Sequence, residues 1–134
     1  DSSPSRGLGD VYKRQLSDAQ AIEFINYANE LKLDCIIEVH DEDELKRAIK
    51  LDYPVIGINN RNLKSLEINL NNSINLNQNL TNDYILIAES GIKTSDDIKK
   101  FNSTGIYNFL IGESLLKSKD KEKKIGELLL NESY

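Results

Sequence analysis

The chain has 134 residues, room for one modest domain with a hydrophobic core. Its 39% hydrophobic and 29% charged content is that of an ordinary globular chain, and no apolar run approaches the ~20 residues of a membrane span. A net charge of -5 argues against nucleic-acid binding, and the single cysteine, Cys35, excludes an intrachain disulfide framework and suits a cytoplasmic protein.

Residues 1–15 carry Ser, Gly, Arg and Pro with no period in their apolar positions. They lack both the apolar core of a signal peptide and the basic helical face of a transit peptide. They read as a non-native or disordered leader left by a cloning, assembly or sequencing artefact, with the domain proper spanning 16–134. From Leu16 the pattern becomes regular. Ser17 or Asp18 caps a helix with an apolar stripe of Ala21, Ile22, Phe24, Ile25, Ala28 and Leu31. A strand over Cys35–Val39 follows, with Cys35 as a small core residue. Asp41 caps the next helix, whose apolar face is Leu45, Ala48, Ile49 and Leu51. Pro54 breaks the chain before a strand at Val55–Ile58. A loop and a short Asn-rich helix of low propensity occupy 66–80. A strand over Tyr84–Ala88 comes next, then a helix capped by Thr94 or Ser95 that stops near Gly105. The strand Tyr107–Ile111 leads to Gly112-Glu113-Ser114, and a last helix ends near Leu130. Within it, Lys119 to Lys124 read as a solvated helix start.

Strands alternating with helices imply a parallel α/β sheet with right-handed crossovers. The pattern alone leaves two architectures open: half of a (βα)8 barrel, or an open flavodoxin-like sheet.

Three apolar strands end abruptly in polar residues. Cys35-Ile36-Ile37 runs into Glu38-Val39-His40-Asp41-Glu42, Val55-Ile56-Gly57-Ile58 into Asn59-Asn60-Arg61-Asn62-Leu63, and Ile85-Leu86-Ile87-Ala88 into Glu89-Ser90-Gly91-Ile92. Buried parallel strands deliver polar side chains to a site in this way. Glu38, at the end of an apolar strand, has the setting of a general acid or base. The alternative is a loop carboxylate that caps the next helix. Asn59 can hold a hydroxyl and Arg61 an anion, or the pair can be a polar turn with a solvated arginine. Asn60 reads as a turn residue. Glu89 and Ser90 offer polar contacts, and Gly91 close backbone approach. Gly112-Glu113-Ser114 can open a helix with free N–H groups for an anion. His40, the only histidine, cannot build a metal site alone and reads as positioning its strand–helix loop. Neither a metal nor a cofactor is expected.

These motifs, with Phe109-Leu110-Ile111-Gly112-Glu113-Ser114-Leu115, resemble indole-3-glycerol phosphate synthase in order and spacing, from about Leu16 to about Leu130. The resemblance implies the C-terminal half of a TIM barrel, strands five to eight. It implies closure of 1-(2-carboxyphenylamino)-1-deoxyribulose 5-phosphate to indole-3-glycerol phosphate, with loss of carbon dioxide and water, in tryptophan biosynthesis. Glu38 would then be the general base, with Asn59 also catalytic. Arg61, Glu89 and Ser90 would bind substrate, and Gly91, Gly112 and Glu113 would cradle its phosphate. The family's general-acid lysine lies in the N-terminal half, and no residue here maps to it. Lys64 and Lys93 match no catalytic position. The chain alone is therefore expected to be inactive, and its open barrel edges to favour self-association. The rival reading is a non-catalytic phosphate-binding half-barrel.

Overall fold

The computed structural model describes residues 16–130; the expected leader over residues 1–15 lies outside them. Helix α1 is Asp18–Glu30, held by a full capping box. Ser17 Oγ accepts from the Gln20 amide, and Gln20 Oε1 accepts from the Ser17 amide. Of its predicted stripe only Ala28 is buried, while Ile22, Phe24 and Leu31 stay exposed. Strand β1 is Ile37–Val39, two residues shorter at its start than expected. Cys35 is nonetheless buried, and its amide donates to the Tyr53 hydroxyl at 2.9 Å. Helix α2, Glu42–Lys50, is capped by Asp41. Three acidic residues in its first turn and Arg47 and Lys50 in its last complement the helix dipole.

Strand β2 is Val55–Asn59, α3 is Asn71–Asn77 and β3 is Ile85–Glu89. Helix α4, Ser95–Asn102, has a Thr94/Asp97 capping box, and the chain leaves it through Gly105 at φ +88°. Strand β4 is Asn108–Leu110. The expected last helix is broken into α5, Glu113–Leu116, and α6, Lys121–Leu130.

The four strands are parallel, in the order β1-β2-β3-β4. A doubly wound, flavodoxin-like sheet reverses its strand order, whereas sequential right-handed crossovers put every helix on one side. The burial pattern agrees with one-sided cover. On one face Val39, Ile56, Ile58, Leu86 and Ala88 pack with Leu45, Ile98 and Phe101 into the core. Ile56 and Ile58 are completely buried, worth about 1.5–3 kcal/mol each. Phe101 meets Phe109 with ring centroids 5.6 Å apart in a tilted pair. The register places Glu38, Gly57, Ile87 and Asn108 in one row of the other face, and Asn59, Glu89 and Leu110 in the next. On that face Ile36, Ile85 and Leu110 are exposed. The sheet is thus open, with its polar strand ends on the uncovered face.

Candidate active site

A cavity of about 590 Å³ lies at the C-terminal ends of the strands. Glu38, Asn59, Arg61, Glu89, Ser90, Gly91, Gly112 and Glu113 all line it, so the fold gathers every residue singled out for chemistry. Period-2 alternation turns Glu38, Asn59 and Glu89 to the same face at neighbouring strand ends.

Glu89 is only 4% exposed, and its Oε2 has no hydrogen-bond partner among the described residues. Burial, together with the neighbouring Glu38 carboxyl, pushes its pKa up to about 8. Two ionised carboxylates cannot bond to each other; one shared proton creates the bond. Gly57 makes room for this arrangement. A Cβ there would stand 2.9 Å from Glu89 Cδ and 2.8 Å from Ile36 Cγ2. Glu38, more exposed, caps no helix; Asp41 does that.

Asn60, read as a turn residue, is buried. It is 3% exposed and ties three segments together. Its Oδ1 accepts from the Ser73 amide at 3.0 Å and hydroxyl at 2.7 Å, and its Nδ2 donates to the Ser90 carbonyl at 3.2 Å. Ser90 sits at φ +71°, a conformation that costs a non-glycine residue about 1–3 kcal/mol unless its surroundings impose it. The Asn60 bond is one such restraint. Asn72 Nδ2 similarly joins the carbonyls of His40 and Asn59. These amides hold the strand ends in register below the cavity.

Asn59 Oδ1 accepts from the Arg61 amide at 2.9 Å, which leaves its NH2 group as the polar function to offer a ligand. Arg61 Nη2 donates to Glu113 Oε2 at 2.9 Å, and Lys117 Nζ to Glu113 Oε1 at 2.7 Å. Lys117 first, then Arg61, holds the Glu113 carboxyl below the usual carboxylate range. The Glu113 side chain therefore occupies Arg61, and what it can lend an anion is its backbone amide. Gly91 adopts φ +83°, and a Cβ on it would stand 2.4 Å from Ile68 Cγ2. Only glycine fits beneath the loop that follows β2. Gly112 has open space around it and no such requirement.

Sequence reasoning missed Lys124. It belongs to the charged run taken as solvated, yet it lines the cavity and its ammonium donates to the Lys93 carbonyl. Only the packing of α6 against α4 brings it there, and no local pattern signals that. Lys93 lines the cavity as well. Among the described residues no group of three or more His, Cys, Asp or Glu side chains is placed to hold a metal ion. No helix there is long and apolar enough to cross a membrane.

The sequence model of the indole-3-glycerol phosphate synthase family matches residues 12–128. An indole-3-glycerol phosphate synthase of Legionella pneumophila (strain Paris) is 45% identical over 114 residues, which are 85% of this chain and 44% of that protein. That of Delftia acidovorans (strain DSM 14801 / SPH-1) is 39% identical over 113 residues, 84% of this chain and 42% of that protein. Among solved structures, a chain of the Amycolatopsis orientalis BexX/CysO complex superposes with a TM-score of 0.55. It covers 87% of this chain and 52% of that one at 12% identity, a likeness of fold alone. The chain spans less than half the length of the synthases it matches. With a family match over most of its length, the chain belongs to the indole-3-glycerol phosphate synthase family.

Proposed function

We propose that this chain forms strands five to eight of an indole-3-glycerol phosphate synthase barrel and carries the base-bearing half of its active site. The observation that supports this most directly is the convergence of Glu38, Asn59, Arg61 and Glu89 on one cavity at the strand ends of a family member. The substrate is 1-(2-carboxyphenylamino)-1-deoxyribulose 5-phosphate. Ring closure and loss of carbon dioxide and water require one group to accept a proton and another to donate one. Glu38 is the acceptor, a half-exposed carboxyl at the cavity wall within reach of a bound substrate. Glu89, buried beside it, holds a proton at neutral pH and keeps a second negative charge out of the site. Asn59 donates to a substrate hydroxyl. Backbone amides at Gly91, Gly112 and Glu113 meet the phosphate, with Ser90 beside them.

Arg61 is released to an anionic group when Glu113 lets go. The pair is partly exposed and screened by solvent, so a substrate anion can displace it. Lys93 and Lys124 line the cavity, but the family resemblance puts the general-acid lysine in the N-terminal half, so the chain alone is expected to be inactive. The uncovered sheet face favours association with a further barrel half, either a second copy or a complementary segment. A cytoplasmic location goes with this biosynthetic role.

The test joins the chain to the N-terminal half of the Legionella relative and follows product fluorescence. The joined protein turns over and the chain alone does not. Glu38→Gln lowers kcat by about 10²–10⁴-fold with KM nearly constant. Turnover by the chain alone would refute the proposed inactivity, and an active Glu38→Gln enzyme would remove Glu38 as base. A joined protein that binds inorganic phosphate but never turns over would favour a non-catalytic phosphate-binding half-barrel.

A further inference from the structure

His40 stands between two carboxylates. Glu44, one turn into α2, presents Oε1 to both the His40 amide at 2.7 Å and its Nδ1 at 3.0 Å. A carboxylate oxygen accepts only, so Nδ1 carries the proton. In the neutral ring Nε2 is then a bare acceptor. That atom is buried, makes no hydrogen bond of good geometry and lies 3.4 Å from Glu38 Oε2. A lone pair facing a carboxylate is repulsive unless a proton lies between them, on Nε2 or on the Glu38 carboxyl. The ring has little freedom to turn away. Its side chain is 19% exposed, and its backbone is fixed on one side by Glu44 and on the other by Asn72, which donates to the His40 carbonyl at 2.9 Å. Among the described residues, the charged or titratable groups paired with the ring are Glu38 from β1 and Glu44 from α2; α3 contributes the neutral Asn72. Beyond Glu38 lies Glu89, so four titratable side chains form one row: Glu44, His40, Glu38, Glu89.

We infer that His40, oriented by Glu44, is a positioning residue that aims the Glu38 carboxylate at the cavity and shares a proton with it. The inference rests on the proposed role of Glu38 as base. The proton that Glu38 takes from substrate passes from its Oε2 to His40 Nε2. The Oε2–H bond breaks and the Nε2–H bond forms, giving an imidazolium whose Nδ1–H stays on Glu44. Glu38 returns to the carboxylate form, and no oxidant or further reactant is needed. The local sequence built this device from a strand-end Glu, a His two residues on, and a Glu at i+4 from that His on the first turn of a helix.

Because His40 is the only histidine, ¹⁵N-histidine labelling of this chain yields a single imidazole to follow. Long-range ¹H–¹⁵N spectra of the neutral ring give the Nδ1–H tautomer. Glu38→Gln changes the Nε2 chemical shift while leaving Nδ1 protonated. Glu44→Ala abolishes the Nδ1–H preference, and Glu44→Gln, which keeps an acceptor oxygen, preserves it. An Nε2–H tautomer in the parent chain, or an Nε2 shift identical in Glu38→Gln, would overturn the inference. Backbone amide spectra confirm that each variant folds, and Glu38→Gln, at a partly exposed site, serves if Glu44→Ala does not.

In the joined enzyme His40→Asn lowers kcat at least about tenfold with KM changed less than about twofold. An unchanged kcat, or a kcat loss matched by an equal rise in KM, would mean a purely structural histidine and would refute the shared proton. These outcomes separate from those of the parent proposal. An active Glu38→Gln enzyme ends the role of Glu38 as base and leaves the tautomer result standing. A failed tautomer test leaves Glu38 as base.

Discussion

Glu89→Gln isolates the energetic consequence of burying a carboxyl at the strand ends. In the folded chain Glu89 keeps its proton up to about pH 8; in the unfolded chain it releases it near 4.5. Between those values the folded state binds more protons, so stability falls as pH rises. The contribution of the protonated carboxyl is fully present below pH 4.5 and is lost as pH climbs toward 8. Spread over about 3.5 pH units at 1.36 kcal/mol per unit, the upper bound is about 5 kcal/mol. Sharing of the proton with the more exposed Glu38, and relaxation toward the open cavity, reduce this to roughly 2–3 kcal/mol. That is still a large fraction of an ordinary domain's 5–15 kcal/mol. The amide of Glu89→Gln has nearly the same shape and no charge to bury. Urea unfolding at pH 5 and pH 8, followed by far-ultraviolet circular dichroism, compares the two chains. The parent chain loses roughly 2–3 kcal/mol more than Glu89→Gln across that interval, and the variant is the more stable at pH 8. The two share every titrating group outside this carboxyl pair, His40 included, so their difference reports the coupled Glu38–Glu89 pair. Equal pH slopes would refute the buried, protonated carboxyl.

Two further outcomes follow from the geometry. Gly57→Ala places a methyl group against Ile36 and the buried Glu89 carboxyl, and destabilises the chain by about 1–3 kcal/mol in the same urea assay; a neutral result would show that Glu89 does not need that space. Sedimentation velocity at micromolar concentration detects self-association through the face bearing exposed Ile36, Ile85 and Leu110, and a Leu110→Lys variant weakens it; a well-behaved monomer would rule the association out.

Most of the architecture was legible from local chemistry. Asp41 and Thr94 cap their helices because a short side-chain oxygen reaches the free amides of a first turn, and that depends on a few consecutive residues. The strand ends were legible for a similar reason. An apolar run that stops at Glu38, Asn59 or Glu89 must turn those side chains to one face at one end of a parallel sheet. The residues gathered around the cavity were therefore readable from period and position, and the motif spacing was enough to point to the family.

What only the tertiary structure decided involves partners distant in sequence. Strand order, and with it one-sided cover of the sheet, settled against a doubly wound sheet, because α/β alternation alone is common to both architectures. Lys124 looks like any residue of a solvated charged run until α6 packs on α4. Asn60 looks like a turn until Ser73 and Ser90 arrive to bond with it. Glu113 reads as part of a phosphate cradle, and nothing local shows that Arg61 and Lys117 draw its carboxylate in. The proton on Glu89 depends on burial, on the missing side chain at Gly57 and on the neighbouring Glu38. The sequence determines which groups reach the strand ends because side-chain alternation is a local rule. The charge and partners those groups carry depend on desolvation and on distances of a few ångströms between separate strands, and only the folded chain sets those.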